Sequence, residues 1–206
     1  MNKYFSQHEE EKTINKYLNK DPDKELGTYI DIGCGEPIEI NNTYYYYLKG
    51  WTGLLIEPHP RYVERIKEIR PKDTLLSIAV HNYDREVEMC DTGTMGSYLG
   101  NNYRARPGKE KDVYTIKCMT MNTIIKEYPQ FAEPDFCTID ITTNENKMLE
   151  KCNFTIFKPK LICIEDFGGY RKIKDVSFEW KHYLTPFYNL KETVLNNLFY
   201  IRKENK

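Results

Sequence analysis

Residues 27–60 read GTYIDIGCGEPIEINNTYYYYLKGWTGLLIEPHP, and this stretch decides the fold. Thr28–Ile32 is a short apolar run ending in Gly33 and Gly35; a helix-like segment follows, then a second apolar run closed by Glu57. Short apolar runs bounded by glycine fit strands buried on both faces, as in parallel sheets. A strand, a tight turn, a helix and a second strand make a unit suited to a nucleoside-containing ligand. Glycines let backbone approach the ligand, a helix start offers unpaired N–H groups, and an acid at the second strand's tip can accept hydrogen bonds from ribose hydroxyls.

A dinucleotide fingerprint would read G-x-G-x-x-G with an acid about 20 residues further on. Here the turn is Asp31-Ile-Gly33-Cys-Gly35-Glu-Pro37, with an acid ahead of the glycines and no third glycine. Glu36 places negative charge where a pyrophosphate would meet a helix start. An acid-led turn suits a ligand with a cationic amine and no phosphate, such as S-adenosylmethionine. Two glycines alone also describe a plain turn, and Glu57 alone also describes a solvated strand-end acid; the two at this spacing favour the cofactor.

The 206 residues are read as one domain, an N-terminal helical segment over 1–26 and a core over 27–206. Thirty lysines and arginines stand against 31 acids, so no bulk field draws nucleic acid or an acidic membrane surface. No apolar run reaches the length of a bilayer span, and the first residues, MNKYFSQHEEEK, are polar. A cytoplasmic protein is the expectation. Six scattered cysteines without a C-x-x-C pair read as buried free thiols of a reducing compartment. The 17 tyrosines fit stacking surfaces for sugars or, more plainly, half-buried strands and helices.

Along the chain, the pattern predicts a helix over Ser6–Lys20 capped by Ser6, with Ile14, Tyr17 and Leu18 on its apolar face. Asn41-Asn42-Thr43 caps a helix over Tyr44–Leu48 that stops at Gly50. Pro58-His59-Pro60 opens another, with Val63, Ile66 and Ile69 inward and Arg70-Pro71 closing it. Thr74–Val80 reads as a third strand, and Glu86–Met89 as a short strand hairpinned to what precedes it. The glycine-dotted stretch Asp91–Lys111 reads as a lid or binding loop. Strands follow at Val113–Cys118, Asp135–Asp140, Pro159–Glu165 and Asn197–Ile201, with helices at Thr120–Tyr128 and Asn144–Lys151 and a helix or strand near Val176–Tyr183. This alternation argues for α/β architecture with right-handed crossovers.

Several stretches together resemble the FkbM-type branch of the class I S-adenosylmethionine-dependent methyltransferases. Ser6-Gln7-His8-Glu9-Glu10-Glu11 is similar to that branch's S-Q-x-G-E-D opening. Asp31–Gly35, Asn42-Thr43-Tyr44, Gly50-Trp51-Thr-Gly53, Ile56–Pro60, Arg70–Asp73, Ala79-Val80, Thr138-Ile-Asp140, Ile164-Glu165 and Asn197–Tyr200 follow in the family's order. The resemblance covers nearly the whole chain. It implies a Rossmann-like fold with a mostly parallel seven-stranded sheet, helices on both faces and an antiparallel last strand. It also implies O-methylation of a hydroxyl on a sugar, glycan or small natural product. Two departures stand out: Glu9 replaces the glycine of the opening, and Thr138-Ile-Asp140-Ile-Thr-Thr-Asn-Glu145 replaces K-I-D-x-E-G-x-E.

The expected cofactor contacts are Asp31 and Gly33 at the methionine part, Gly35 beneath it, Glu57 on the ribose, and Pro58, His59 and Ala79 around the adenine. An acceptor alcohol must lose a proton, which calls for a base or a metal. Asp140 is the first candidate, as base or acceptor contact, and reads equally as the cap of the following helix. His81, beside a strand end, is a second candidate base and otherwise an exposed histidine. Glu165 is a third catalytic candidate, and Glu165 and Asp166 could join Asp140 as oxygen ligands for Mg²⁺. Two other functions remain open: a binding or scaffold protein of the same fold that has lost catalysis, motivated by the altered 138–145 motif, and a nicotinamide-dependent oxidoreductase.

Overall fold

The computed structural model describes residues 4–91, 98–99, 112–141, 144–166 and 180–204. Eleven strands occur among them: β1 (Thr28–Ile32), β2 (Thr52–Ile56), β3 (Thr74–Leu76), β4 (Ala79–Val80), β5 (Arg85–Asp91), β6 (Tyr98–Leu99), β7 (Asp112–Met119), β8 (Phe136–Ile139), β9 (Leu161–Glu165), β10 (Tyr188–Val194) and β11 (Asn197–Arg202). Helices are α1 (Glu10–Tyr17), α2 (Tyr44–Leu48), α3 (Pro60–Ile69), α4 (Met121–Glu127), α5 (Glu145–Glu150) and α6 (Lys181–Leu184).

Seven strands form one sheet in the order β10-β11-β9-β8-β1-β2-β3. From β9 through β3 every neighbouring pair is parallel, and β11 runs antiparallel to both β9 and β10. The period-2 pleat sends alternate side chains to opposite faces. Ile30 and Ile32 of β1 join Leu54, Ile56, Cys137 and Ile139 in a core that α4 and α5 cover with Ile124, Ile125, Met148 and Leu149. Tyr29, Leu55, Phe136 and Cys163 face the other way, onto Ile14 of α1, Tyr45 and Tyr46 of α2, and Ile66 of α3. Strand order reverses at β1, between β2 and β8, so the crevice beyond their carboxyl ends is the natural place for a ligand.

The structure departs from the sequence reading in four places. Thr74–Val80 is two strands: β3 closes the main sheet, while β4 turns away to pair in parallel with β7. The 86–89 strand is longer and is hairpinned to nothing before it. As β5 it pairs antiparallel with β7, building a second sheet in the order β4-β7-β5-β6. Pairing across a long intervening segment leaves no local signal. β10, with four of its seven residues exposed, has too polar a pattern to read as a strand and is held by its partner β11. The first helix is shorter than Ser6–Lys20 because the Ser6 hydroxyl accepts the Glu10 N–H (2.8 Å) from outside it and the chain turns at Glu9. Of the stretch Asp91–Lys111, residues 92–97 and 100–111 lie outside the described residues, as do 176–179; α6 begins at Lys181. Among the described residues, no helix is long and apolar enough to cross a membrane.

Candidate functional site

A cleft opens over the carboxyl ends of β1, β2 and β8, with about 860 Å³ of space including its open mouth. The glycine turn forms its floor. Gly33 adopts φ +82°, and a Cβ there would sit 1.9 Å from the Asp140 carbonyl oxygen, so only glycine lets β1 and β8 close together. The Gly33 and Cys34 N–H groups both donate to Ile56 O (2.9 and 3.3 Å), tying the turn to β2. Gly35, at φ +57°, faces open space: the nearest atom to a Cβ built there is 3.9 Å away.

Glu57 stands at the tip of β2 and links the walls. Its Oε2 accepts the Gly35 N–H (2.7 Å) and its Oε1 the His59 N–H (2.8 Å). Burial pushes its carboxyl up to about 7, against the pull of these two N–H groups toward the ionised form. His59 caps α3, its Nδ1 accepting the Arg61 N–H (3.1 Å), and its ring lies against Tyr62 and Tyr114. Pro58, His59, Tyr62 and Ala79 line the cleft, and Met89 reaches it from the second sheet.

Asp31 does not line the cleft; it lies beneath the turn in a buried polar cluster. Thr43 Oγ1 donates to its Oδ2 (2.7 Å), with Asn41 Nδ2 at 3.4 Å. Asn41 also donates to the carbonyls of Cys34 and Glu36 (3.2 Å each). Behind them Arg70, 1% exposed, donates from Nη1 to Asn41 Oδ1 (3.1 Å) and Thr43 Oγ1 (2.9 Å), from Nη2 to the Tyr29 hydroxyl (2.8 Å) and from Nε to Asp73 (2.8 Å). Burial raises the Asp31 carboxyl to about 6, and Arg70 is the main influence holding it down.

Acids gather where β8 and β9 end. Asp140 is exposed and lines the cleft. Glu165 shares a side-chain hydrogen bond with it and does not itself line the cleft. A hydrogen bond between two carboxyl groups needs a proton on one of them. Burial first, and the Asp140 charge second, push Glu165 far above the usual carboxylate range, so Glu165 holds that proton. Asn196, in the turn between β10 and β11, donates to Glu165. Glu145 is buried, accepts the Ile141 N–H (3.1 Å) and is raised to about 7, mainly by burial. Asp166 is buried, its N–H donating to Asn196 O (2.6 Å). Among the described residues, no group of three or more His, Cys, Asp or Glu side chains is arranged to hold a metal ion. His81 is set apart from these acids: its Nδ1 meets Asn82 Oδ1 (2.7 Å), its ring rests on Tyr83, and burial lowers its pKa.

The turn does not lead directly into a helix, contrary to the strand–turn–helix reading. Asn41 Oδ1 caps α2 by accepting the Thr43 and Tyr44 N–H groups (3.0 and 2.8 Å), and the helix starts only at Tyr44. Between them Glu36 pairs with Arg65 (2.6 Å) and accepts the N–H groups of Ile38 and Glu39. No helix N-terminus lies at the turn to receive a pyrophosphate.

A family model described as the methyltransferase FkbM domain matches residues 27–186. The chain belongs to this FkbM methyltransferase family. No curated protein matches it. Solved structures similar to it include the Methanococcus jannaschii fibrillarin pre-rRNA processing protein, at TM-score 0.43 and 12% identity over 91% of this chain and 71% of that one. A METTL16 methyltransferase domain reaches TM-score 0.40 and 12% identity over 92% and 78%.

The cleft of this FkbM-family chain thus gathers Gly33, Gly35, Glu57, Pro58, His59, Ala79 and Asp140, and leaves Asp31, His81, Glu165 and Asp166 off its lining. Sequence reasoning missed Arg70, whose only signal was Asp73 three residues on, and Met89, whose place depends on the unforeseen second sheet.

Proposed function

We propose that the chain is a single-domain S-adenosylmethionine-dependent O-methyltransferase acting on a hydroxyl of a sugar, a glycan or a small natural product. The observation that carries this reading is one cleft with Glu57 over the glycine turn at one end and the exposed Asp140 at the other. The residues fit the cofactor. Gly35 leaves its face open, apolar Ile78, Val80 and Met89 wall the cleft, and Asp31 has an Oδ1 that accepts no hydrogen bond from the described residues.

The bound cofactor supplies a methyl carbon activated by a sulfonium. Glu57 has lone pairs beyond those taken by Gly35 and His59, and these accept from ribose hydroxyls. Pro58, His59 and Ala79 border the base, while Asp31 and the Gly33 turn hold the amino-acid end. Asp140 contacts the acceptor hydroxyl and takes its proton, with Glu165 holding Asp140 in place through the hydrogen bond they share. The residue set supports this proton path more directly than one through Mg²⁺ on Asp140, Glu165 and Asp166. Near-balanced charge argues against a nucleic-acid acceptor. The six free cysteines, five of them buried, support a reducing, cytoplasmic setting.

Isothermal titration with S-adenosylhomocysteine, followed by transfer of labelled methyl to a panel of glycans and natural-product alcohols, tests the reading. No binding of the product would sink it. The altered 138–145 motif favours a second reading, a cofactor-binding protein without turnover; methyl transfer to any acceptor excludes that one. The nicotinamide reading has Glu36 and the distant helix start against it.

A further inference from the structure

We propose that Arg70 is a positioning residue for cofactor binding, directing the Thr43 hydroxyl to Asp31 and supplying the buried cation beside it, so that Asp31 is presented to a cationic amine. The proposal rests on the cofactor reading above. Its basis is an asymmetry of chemistry: a guanidinium only donates, whereas Asn41 and Thr43 can each donate or accept.

Arg70 Nη1 donates to Asn41 Oδ1 beside the Thr43 and Tyr44 N–H groups, which together orient that amide. Asn41 Nδ2 is thereby aimed at the Cys34 and Glu36 carbonyls, on either side of Gly35, and toward Asp31 Oδ2. The same Nη1 donates to Thr43 Oγ1, so the Thr43 hydroxyl proton is free to go to Asp31 Oδ2. Both neutral residues therefore present donors to the same carboxylate oxygen, and Oδ1 is left for a ligand. Without Arg70 the backbone N–H groups still hold the amide, but Asn41 Oδ1 loses a donor and the Thr43 hydroxyl can turn to it (3.0 Å) and away from Asp31.

Charge points the same way. Arg70 stands between two buried acids, Asp31 and Asp73, and its ion pair with Asp73 is fully buried. One cation against two carboxylates leaves a negative charge that the ammonium of an amino-acid moiety would balance. The other titratable groups facing Asp31 are Asp140, Glu57, Cys34, Cys137 and Cys163, none of them cationic. Arg70 is then the cation that keeps Asp31 ionised near neutral pH.

The test uses the full chain labelled with 13C at aspartate side-chain carboxyls, so that Glu57 does not interfere, together with S-adenosylhomocysteine titrations at pH 6.5 and 8.5. Two variants are compared with wild type. Arg70→Met removes the cation; Thr43→Val cuts the relay, leaves both charges in place, and serves if Arg70→Met does not fold. Wild-type Asp31 is expected to titrate near 6, and both variants at least one pH unit higher. Their affinity for the ligand should fall about threefold or more at pH 6.5 and largely recover at 8.5, a recovery that simple loosening of the fold would not produce. An unmoved Asp31 titration, or an equal loss at both pH values, in a wild type that binds the ligand overturns the role of Arg70 alone. Failure of the wild type to bind at either pH overturns the cofactor reading and this role with it.

Discussion

The two ends of the cleft solve the problem of buried charge in different ways. Beneath the glycine turn, Asp31 and Asp73 are buried with a guanidinium between them, and Arg70 donates to Asp73, Asn41 and Thr43, the last of which donates on to Asp31. At the ends of β8 and β9, Glu145 and Glu165 are held by neutral donors, a backbone N–H and an asparagine amide, and neighbouring acids, Asp140 for both and Asp166 for Glu145, push them further up. The first arrangement keeps its charge and fixes geometry; the second keeps protons. A rigid, charged end suits holding a ligand, and a proton-holding end suits chemistry at an acceptor oxygen.

Four measurements would break or sharpen this contrast. The largest effect is expected where the two ends meet, at Gly33. Gly33→Ala must clear the Asp140 carbonyl at 1.9 Å and adopt φ +82°, costing about 3 kcal/mol or more; chemical denaturation should show a midpoint shift, and S-adenosylhomocysteine binding should be lost. Next comes Glu57→Gln, which keeps an acceptor and removes the charge. Calorimetry should show ligand affinity down by roughly thirtyfold, about 2 kcal/mol; an unchanged affinity would remove Glu57 from the ligand's contacts.

The third concerns pH. Glu145 and Glu57 have folded-state pKa values raised to about 7, above the ~4.3 of an unfolded glutamate. Between these values the folded state holds protons that the unfolded chain has released, so the ligand-free protein loses stability as pH rises from about 4.3 to about 7. Glu145→Gln should flatten part of that slope and stabilise the protein at pH 8 by about 2 kcal/mol, read from urea midpoints at pH 5 and 8. The smallest effect belongs to Glu9, which sits at φ +59° where the family's opening motif carries glycine. Glu9→Gly should stabilise by about 0.5 kcal/mol, since relief of the left-handed strain is partly offset by the freer unfolded chain. Its thermal midpoint should rise slightly.

What the sequence revealed was what local chemistry writes. Thr28–Ile32 and Tyr44–Leu48 were legible to the residue because glycines, asparagines and apolar runs mark their ends. The order of acids at strand ends placed Glu57 and Asp140 at one cleft. What stayed hidden depends on partners distant in the chain. β10 is a strand because β11 pairs with it, and β5 because β7 does. Arg70 read as the end of a helix, and nothing local says that its side chain turns inward to meet residues 27 to 41 positions earlier. Asp31 read as a ligand contact, and its depth beneath the turn follows from the alternation of β1, which sends it to the same face as Tyr29.

The pairing of β1 with β8 also has a consequence in time. Thr28 and Asp135, where the two strands begin to meet, are 107 residues apart. On a ribosome working at roughly 5–20 residues per second, the central strand waits roughly 5–20 s for the neighbour that completes its second edge. Until then Gly33 has no Asp140 to press against and the floor of the cleft does not exist. The nascent chain therefore passes through an interval in which its central strand has a bare edge, and no ligand can shorten it.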